Sequence, residues 1–282
     1  YDTLIVSRLM YPDKRTHPLG GNSLKCWGEY MKCLKLDYEG GWDSYSEEMM
    51  TYCLQDTKVA AKIFHNQQSF VSQHKKTVKL EHMVTDVIAD QICNGFGFDV
   101  DKALDLEQEL LYDKSEIEDE MRDIFPPIVE ERYSDKTGKR LKDKVTIFNP
   151  SSRQQIAERL KGKYGWKAPR TDKGNPKVDA DVVKKLDYPE AKELVKYFDI
   201  IKTMAFLKDW ITRAENSRDK KIHSSVNPQG TVTGRMTSSQ PNLQQVTSDK
   251  RIRALFVPRE GWVEVGIDAS GLEARMLANR MA

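Results

Sequence analysis

Cysteine is scarce in this sequence of 282 residues, and its four copies, Cys26, Cys33, Cys53 and Cys93, show neither CxxC spacing nor a histidine at a zinc-ligand interval. A disulfide framework and a structural zinc site are therefore not expected, and unpaired thiols suit the reducing interior of a cell. Long apolar runs are missing too. No stretch approaches the roughly 18 residues that a membrane span needs, and there is no signal-peptide core, so the chain reads as soluble and cytoplasmic, with no membrane partner. Repeats, low-complexity segments and a convincing βαβ fingerprint are lacking as well. Net charge is slight: 45 Lys+Arg against 43 Asp+Glu leave +2, which excludes a uniformly basic or acidic molecule.

What charge there is lies segregated. Residues 99–130 hold 3 basic and 12 acidic side chains and the adjoining 131–177 hold 14 and 5, so the near-neutral total conceals opposite fields of −9 and +9. The length corresponds to roughly two domains at about 150 residues each, and 39% hydrophobic residues suffice for real cores. The first residue is Tyr rather than Met and residues 272–282 read as a helix without a stop signal, so the chain is expected to be cut at both ends.

Along the first segment, an apolar stretch (Thr3–Met10) leads to a turn around Pro18, Gly20, Gly21 and Asn22, and Ser23 is placed to cap a helix carrying Leu24, Trp27, Tyr30 and Met31. A second helix is predicted over 47–66 behind Ser46. From about Val78 a helix runs to a break at Asn94-Gly-Phe-Gly-Phe98. A long helix then starts near Asp99, with Ala103, Leu106, Leu110, Ile117, Met121 and Ile124 at steps that make one apolar face, interrupted by Lys114. Its acidic residues form the solvated side, and Pro126-Pro127 ends it. Ser134-Asp-Lys-Thr-Gly138 reads as a loop, Asn149-Pro-Ser-Ser152 precedes another helix, and helices are predicted at 180–187 and 189–213.

The last sixty or so residues differ. Short strands are expected at 221–226 and 230–233, and 262–268 alternates, with Val263, Val265 and Ile267 on one face and Glu264, Gly266 and Asp268 on the other. A carboxylate at a strand end beside a tight turn can hold Mg²⁺, or it can merely cap the turn. Ser270-Gly-Leu-Glu273 likewise fits a capping box.

Taken in order, Thr233-Gly-Arg235, Pro241-Asn-Leu-Gln244 and Asp268-Ala-Ser-Gly-Leu-Glu273 resemble the start of the palm in family A DNA polymerases, whose TGR…PNLQ segment and DxSxxE motif stand at comparable spacing. Phe148-Asn-Pro-Ser-Ser-Arg153 is similar to a thumb segment of phage-type members, and Tyr52-Cys-Leu-Gln-Asp56 to the YxxxD third motif of the associated 3′–5′ exonuclease. The resemblance implies an α+β, mainly helical fold: the end of a ribonuclease H-like exonuclease domain over 1–68, a thumb with connecting helices over 69–220 and the first part of an antiparallel-sheet palm over 221–282.

It implies template-directed addition of dNTPs to a primer 3′-OH. Asp268 would ligate two Mg²⁺ ions, with the Ala269 carbonyl completing one shell, and Glu273 would pack under the incoming sugar. Arg235, Asn242, Gln244 and His223 would meet the primer terminus and its minor groove, where a donor can test pair geometry without reading sequence. Ser151, Ser152 and Arg153 would hold phosphates of the primer–template DNA, although both serines also suit a helix cap and Arg235 a surface ion pair. The basic run, Lys139, Arg140 and Lys142 included, would grip the duplex backbone or remain a solvated loop.

Departures matter as well. Of the exonuclease carboxylates only Asp56 is matched, with Tyr52, so that portion is expected to be inert; Asp2 has a structural place. The second palm carboxylate is not within the chain, so 1–282 alone is expected not to turn over. Phe125 and Phe148 are separated by the 22 residues 126–147, too few for the insertion with which certain phage enzymes recruit thioredoxin. Two other readings stay open: a noncatalytic grip on primer–template DNA, and an exonuclease with an appended helical domain.

Overall fold

A computed structural model describes residues 1–13 and 20–281; Pro18 of the expected turn and Ala282 of the expected last helix lie outside them. In chain order the elements are α1 (Thr3–Met10), α2 (Leu24–Tyr30), α3 (Glu47–Gln73), α4 (Lys75–Asn94), β1 (Phe96–Phe98), α5 (Val100–Ile124), β2 (Ile128–Tyr133), β3 (Arg140–Thr146), α6 (Arg153–Tyr164), α7 (Ala180–Val183) and α8 (Pro189–Asn216). There follow β4 (Lys221–Ile222), β5 (Ser225–Asn227), β6 (Thr237–Ser239), a single 3₁₀ turn (Leu243–Gln245), α9 (Lys250–Arg253), β7 (Phe256–Val257) and α10 (Leu272–Met281). The result is α+β and mainly helical, as expected.

The helix starts follow from local chemistry. Asp2 accepts from the amides of Leu4 and Ile5, so the apolar stretch behind it winds as α1 rather than extending. Ser23 and Ser46 cap α2 and α3 as expected, and Asp99 caps α5. The helix α3 runs past its expected end at 66 to Gln73, through residue 68. Along α5 the apolar face is buried at Ala103, Leu106, Leu110, Ile117 and Met121, and most of the acidic residues lie on the solvated side, with Glu118, its side chain 19% exposed, as the exception. Lys114, the polar interruption, pairs with Glu118 at 2.8 Å.

The chain divides into two compact units: residues 1–97, 221–253 and 258 onward, and residues 98–220 with 254–257. In the first, α1 and α2 lie on α3, and Trp27, Val59 and Ile63 form a buried cluster. The Trp27 indole donates to Ser7 Oγ at 2.8 Å, which satisfies both buried groups. In the same unit β5 and β6 pair antiparallel, Val226 opposite Ser238. In the second unit α5 packs on α8 over a core of Met121, Phe125, Phe148, Ile156, Leu160 and Leu194. There Glu190 is only 3% exposed and accepts from Lys163 and, at 2.7 Å, from the Tyr164 hydroxyl.

Three local expectations change. Residues 128–146 hold an antiparallel hairpin, β2 with β3, around the turn at 134–138; the β-branched and aromatic residues Ile128, Val129, Tyr133 and Val145 carry the signal. Its register shifts between Glu130 and Arg132. Residues 230–233 turn the chain between β5 and β6 instead of forming a strand, with Thr231 Oγ1 accepting from the Arg235 amide. Residues 262–268 are not a strand: their alternation is intact, but no described strand forms a ladder with them, and a strand exists only as part of a ladder.

Candidate nucleic-acid interface and palm residues

The Phe148-to-Arg153 segment is anchored in the second unit. Phe148 is buried against Phe125 with ring centroids 4.7 Å apart, which sets where the turn begins. Asn149 then organises the turn: its side-chain oxygen accepts from the Ser151 amide at 2.9 Å, and its carbonyl accepts from the Ser152 amide at 2.9 Å. Ser152 caps α6 through the Gln155 amide. Ser151 Oγ lies 2.7 Å from the Tyr197 hydroxyl, and that hydroxyl donates to Glu118 Oε1 at 3.0 Å. Ser151, Arg153, Tyr197 and Lys202 share a recess of about 330 Å³. Burial pushes the Glu118 carboxyl up, but bonds from Lys114 and Tyr197 outweigh it and hold the carboxyl below its ordinary value. Burial also pushes the Tyr197 phenol up, so it keeps its proton.

On the neighbouring hairpin the basic residues are not equivalent. Arg140 is engaged by Asp143 at 3.1 Å and Glu131 at 3.4 Å, and Lys144 by Glu130 at 3.2 Å. Lys136, Lys139 and Lys142 pair with no carboxylate among the described residues, so they retain their charge for an outside anion.

In the first unit His223, Arg235, Asn242, Asp268 and Ala269 lie on loops, Gln244 in the 3₁₀ turn and Glu273 in the first turn of α10. Asn242 caps the 3₁₀ turn through the Gln244 amide, and the Gln244 side chain donates to the Met236 carbonyl at 3.2 Å. His223 lies against Gly95, which has a φ of +62°; a Cβ at this position would stand 2.7 Å from Cε1 of the ring, so there is no room for a side chain. The Ile92 carbonyl can only accept, so the 2.7 Å contact places a proton on His223 Nδ1. Arg235 donates to Glu273 Oε1 at 3.0 Å, with both side chains mostly exposed, so the surface ion pair is what the structure contains. Glu273 is thus engaged by Arg235 rather than seen closing a capping box. Asp268 and Ala269 are exposed, and Asp268 has no partner among the described residues.

As a metal site these residues are insufficient. The Asp268 carboxylate and the Ala269 carbonyl are the hard oxygen donors that Mg²⁺ takes, but they fall short of its octahedral shell. Among the described residues no group of three or more His, Cys, Asp or Glu could hold a metal ion. At the exonuclease-like motif Asp56 is bridged by Lys35 at 3.2 Å, and the Lys35 ammonium also lies over the Tyr52 ring at 4.8 Å. A lysine therefore occupies one oxygen of that carboxylate, Oδ2, while Oδ1 is buried without a hydrogen-bond partner. Among the described residues no helix is long and apolar enough to cross a membrane.

Tyr197, Glu118 and Lys35 carry no motif. Tyr197 is 46 residues from Ser151 and 79 from Glu118, and only packing brings the three together.

Comparison with known proteins places these features. The chain is 28% identical to the DNA-directed DNA polymerase of Escherichia phage T7, matching over 100% of its own length and 57% of the relative's, with the same figures for that of Enterobacteria phage T3. It is 33% identical to DNA polymerase I of Chloroflexus aurantiacus over 47% of its length and 15% of the relative's. The chain thus spans a little over half of the phage relatives. In fold it is similar to the polymerase domain of Pol1 from M. smegmatis, solved in complex with DNA primer-template and dNTP, with a TM-score of 0.67, 18% identity and 93% of this chain covered against 42% of that one. The profile of DNA polymerase family A matches residues 129–281, more than half of the sequence, and the chain belongs to that family.

Proposed function

We propose that this chain is the exonuclease end, thumb and first part of the palm of a replicative DNA-directed DNA polymerase that adds dNTPs to a primer 3′-OH in the cytoplasm. The observation that carries the reading is the match of 129–281 to family A, which takes in the anchored Phe148-to-Arg153 turn and the Asp268-to-Glu273 segment together. In this reading residues 1–68 end the exonuclease domain, 69–220 form the thumb and connecting helices, and 221–282 begin the palm.

The roles follow the chemistry of the side chains. Ser152, Arg153 and the unpaired hairpin lysines bind phosphates of the primer–template duplex, where the start of α6 adds a favourable dipole. Arg235, Asn242, Gln244 and His223 lie on the loops and the 3₁₀ turn that meet the primer terminus, which requires Arg235 to leave Glu273. Glu273 then packs under the sugar. A divalent ion such as Mg²⁺ would supply charge neutralisation at the triphosphate when bound; from this chain Asp268, with the Ala269 carbonyl, would contribute to holding it. The segment between Phe125 and Phe148 is occupied by β2, β3 and their turn, which supports a polymerase without a thioredoxin-recruiting insertion there. Lys35 across Asp56 supports an exonuclease remnant that does not act by itself.

In the complete protein, Asp268→Asn should abolish primer extension and leave primer–template affinity unchanged, measured by gel extension and fluorescence anisotropy. Extension by the variant at the rate of the unsubstituted protein would make the chain a DNA grip instead.

A further inference from the structure

We infer that the Ser151 hydroxyl is committed as a donor to Tyr197, so that the phosphate contact at the start of α6 is made by Ser152 and Arg153 without it. This rests on the proposed DNA-binding role and narrows it. Glu118, an ionised carboxylate, can only accept, and it takes hydrogen bonds from Lys114 at 2.8 Å, from Tyr197 at 3.0 Å and from Arg122 at 3.4 Å. The phenol of Tyr197 has a single proton, which it keeps and directs at Glu118. The 2.7 Å contact between Tyr197 and Ser151 therefore needs the serine's proton.

Ser151 is left with lone pairs on its oxygen, and these repel a phosphate oxygen. Its amide is engaged too, donating to Asn149 Oδ1. Ser152 differs in the direction of its bond: its oxygen accepts from the Gln155 amide at 3.4 Å, and nothing among the described residues takes its hydroxyl proton. Arg153 is exposed and pairs with no carboxylate among the described residues. Two adjacent serines of the same turn thus have opposite hydrogen-bond polarity: Ser151, although exposed, gives its proton to Tyr197, whereas Ser152, half-buried, accepts from α6 and keeps its proton to give. Tyr197 acts here as a positioning residue, through Ser151.

Duplex affinity and melting temperature of the complete protein and four variants decide the matter. Ser152→Asp keeps a capping side chain but sets a negative charge against the phosphate; it should weaken binding of a fluorescent primer–template duplex about tenfold at low salt with the melting temperature retained. Ser151→Ala should lower the melting temperature and leave affinity unchanged. Tyr197→Phe releases the serine proton and should tighten binding by about threefold, one neutral hydrogen bond's worth. That gain should vanish in the Tyr197→Phe/Ser151→Ala double variant, which a purely structural role for Tyr197 does not predict. Ser151→Ala weakening the duplex as much as Ser152→Asp, or Tyr197→Phe weakening it, would overturn the inference. Failure of the unsubstituted protein to bind duplex would overturn the DNA-binding role itself, and the inference with it.

Discussion

Two stretches carrying family motifs are built in opposite ways. Residues 148–153 begin on a ring that is 1% exposed and continue through a turn whose amides and hydroxyls have assigned directions at Ser151 and Ser152. Residues 258–281 are largely exposed, Val265 at 77% and Ile267 at 94%, and the contact that Glu273 makes is an ion pair with Arg235 on the surface. The contrast teaches that a motif specifies which side chains are present, whereas their geometry depends on what packs around them. In the first stretch the chain itself supplies that packing.

The contrast can be broken most directly by truncating an apolar side chain on each side of it. Phe148→Ala should cost about 3–5 kcal/mol, because it leaves a cavity beside Phe125, whereas Val265→Ala should change stability by no more than about 0.5 kcal/mol. Denaturant unfolding of both variants checks this, and equal losses would erase the distinction.

A smaller effect concerns the buried acid of the anchored unit. Burial pushes the Glu190 carboxyl up, but the bonds from Lys163 and Tyr164 prevail and hold it below its ordinary 4.5. A carboxyl lowered on folding stabilises the protein fully above the unfolded value, and that contribution is lost as pH falls through the folded one. Glu190→Gln should therefore cost about 2 kcal/mol at neutral pH and flatten the acid limb of a stability–pH profile; a steeper limb in the variant would contradict the sign.

The smallest effect is expected on the exposed side. A double-mutant cycle on Arg235 and Glu273 should return a coupling of about 0.2–1 kcal/mol that shrinks with added salt. A coupling of several kcal/mol would mean that this pair is held as firmly as the residues around Ser151.

Much of the fold is legible in the sequence where the determinants are local. The caps at Ser23, Ser46 and Asp99 and the buried face of α5 follow from residues within a turn or two of one another. The motif residues from Arg235 to Glu273 can be located through their order and spacing. The hairpin 128–146 escapes a reading by charge, because the β-branched residues that form it stand between lysines and glutamates. The expected strand over 262–268 fails for the opposite reason: alternation is present, but pairing is a property of two segments and the pattern reports one. Nothing near Ser151 announces Tyr197, and Asp56 carries no local sign of Lys35, because both contacts are made by side chains distant along the chain.

The two-stranded hairpin has one further consequence. Neither β2 nor β3 has a second neighbour among the described residues, so their outer backbone groups are open to any extended chain, and Val129, Val145 and Ile147 stand exposed beside them. Such edges invite self-association unless charge intervenes. Lys142 puts charge on β3 itself, with Lys136 and Lys139 in the adjoining turn, and neutralising the three together should expose the hairpin to stacking against copies of itself.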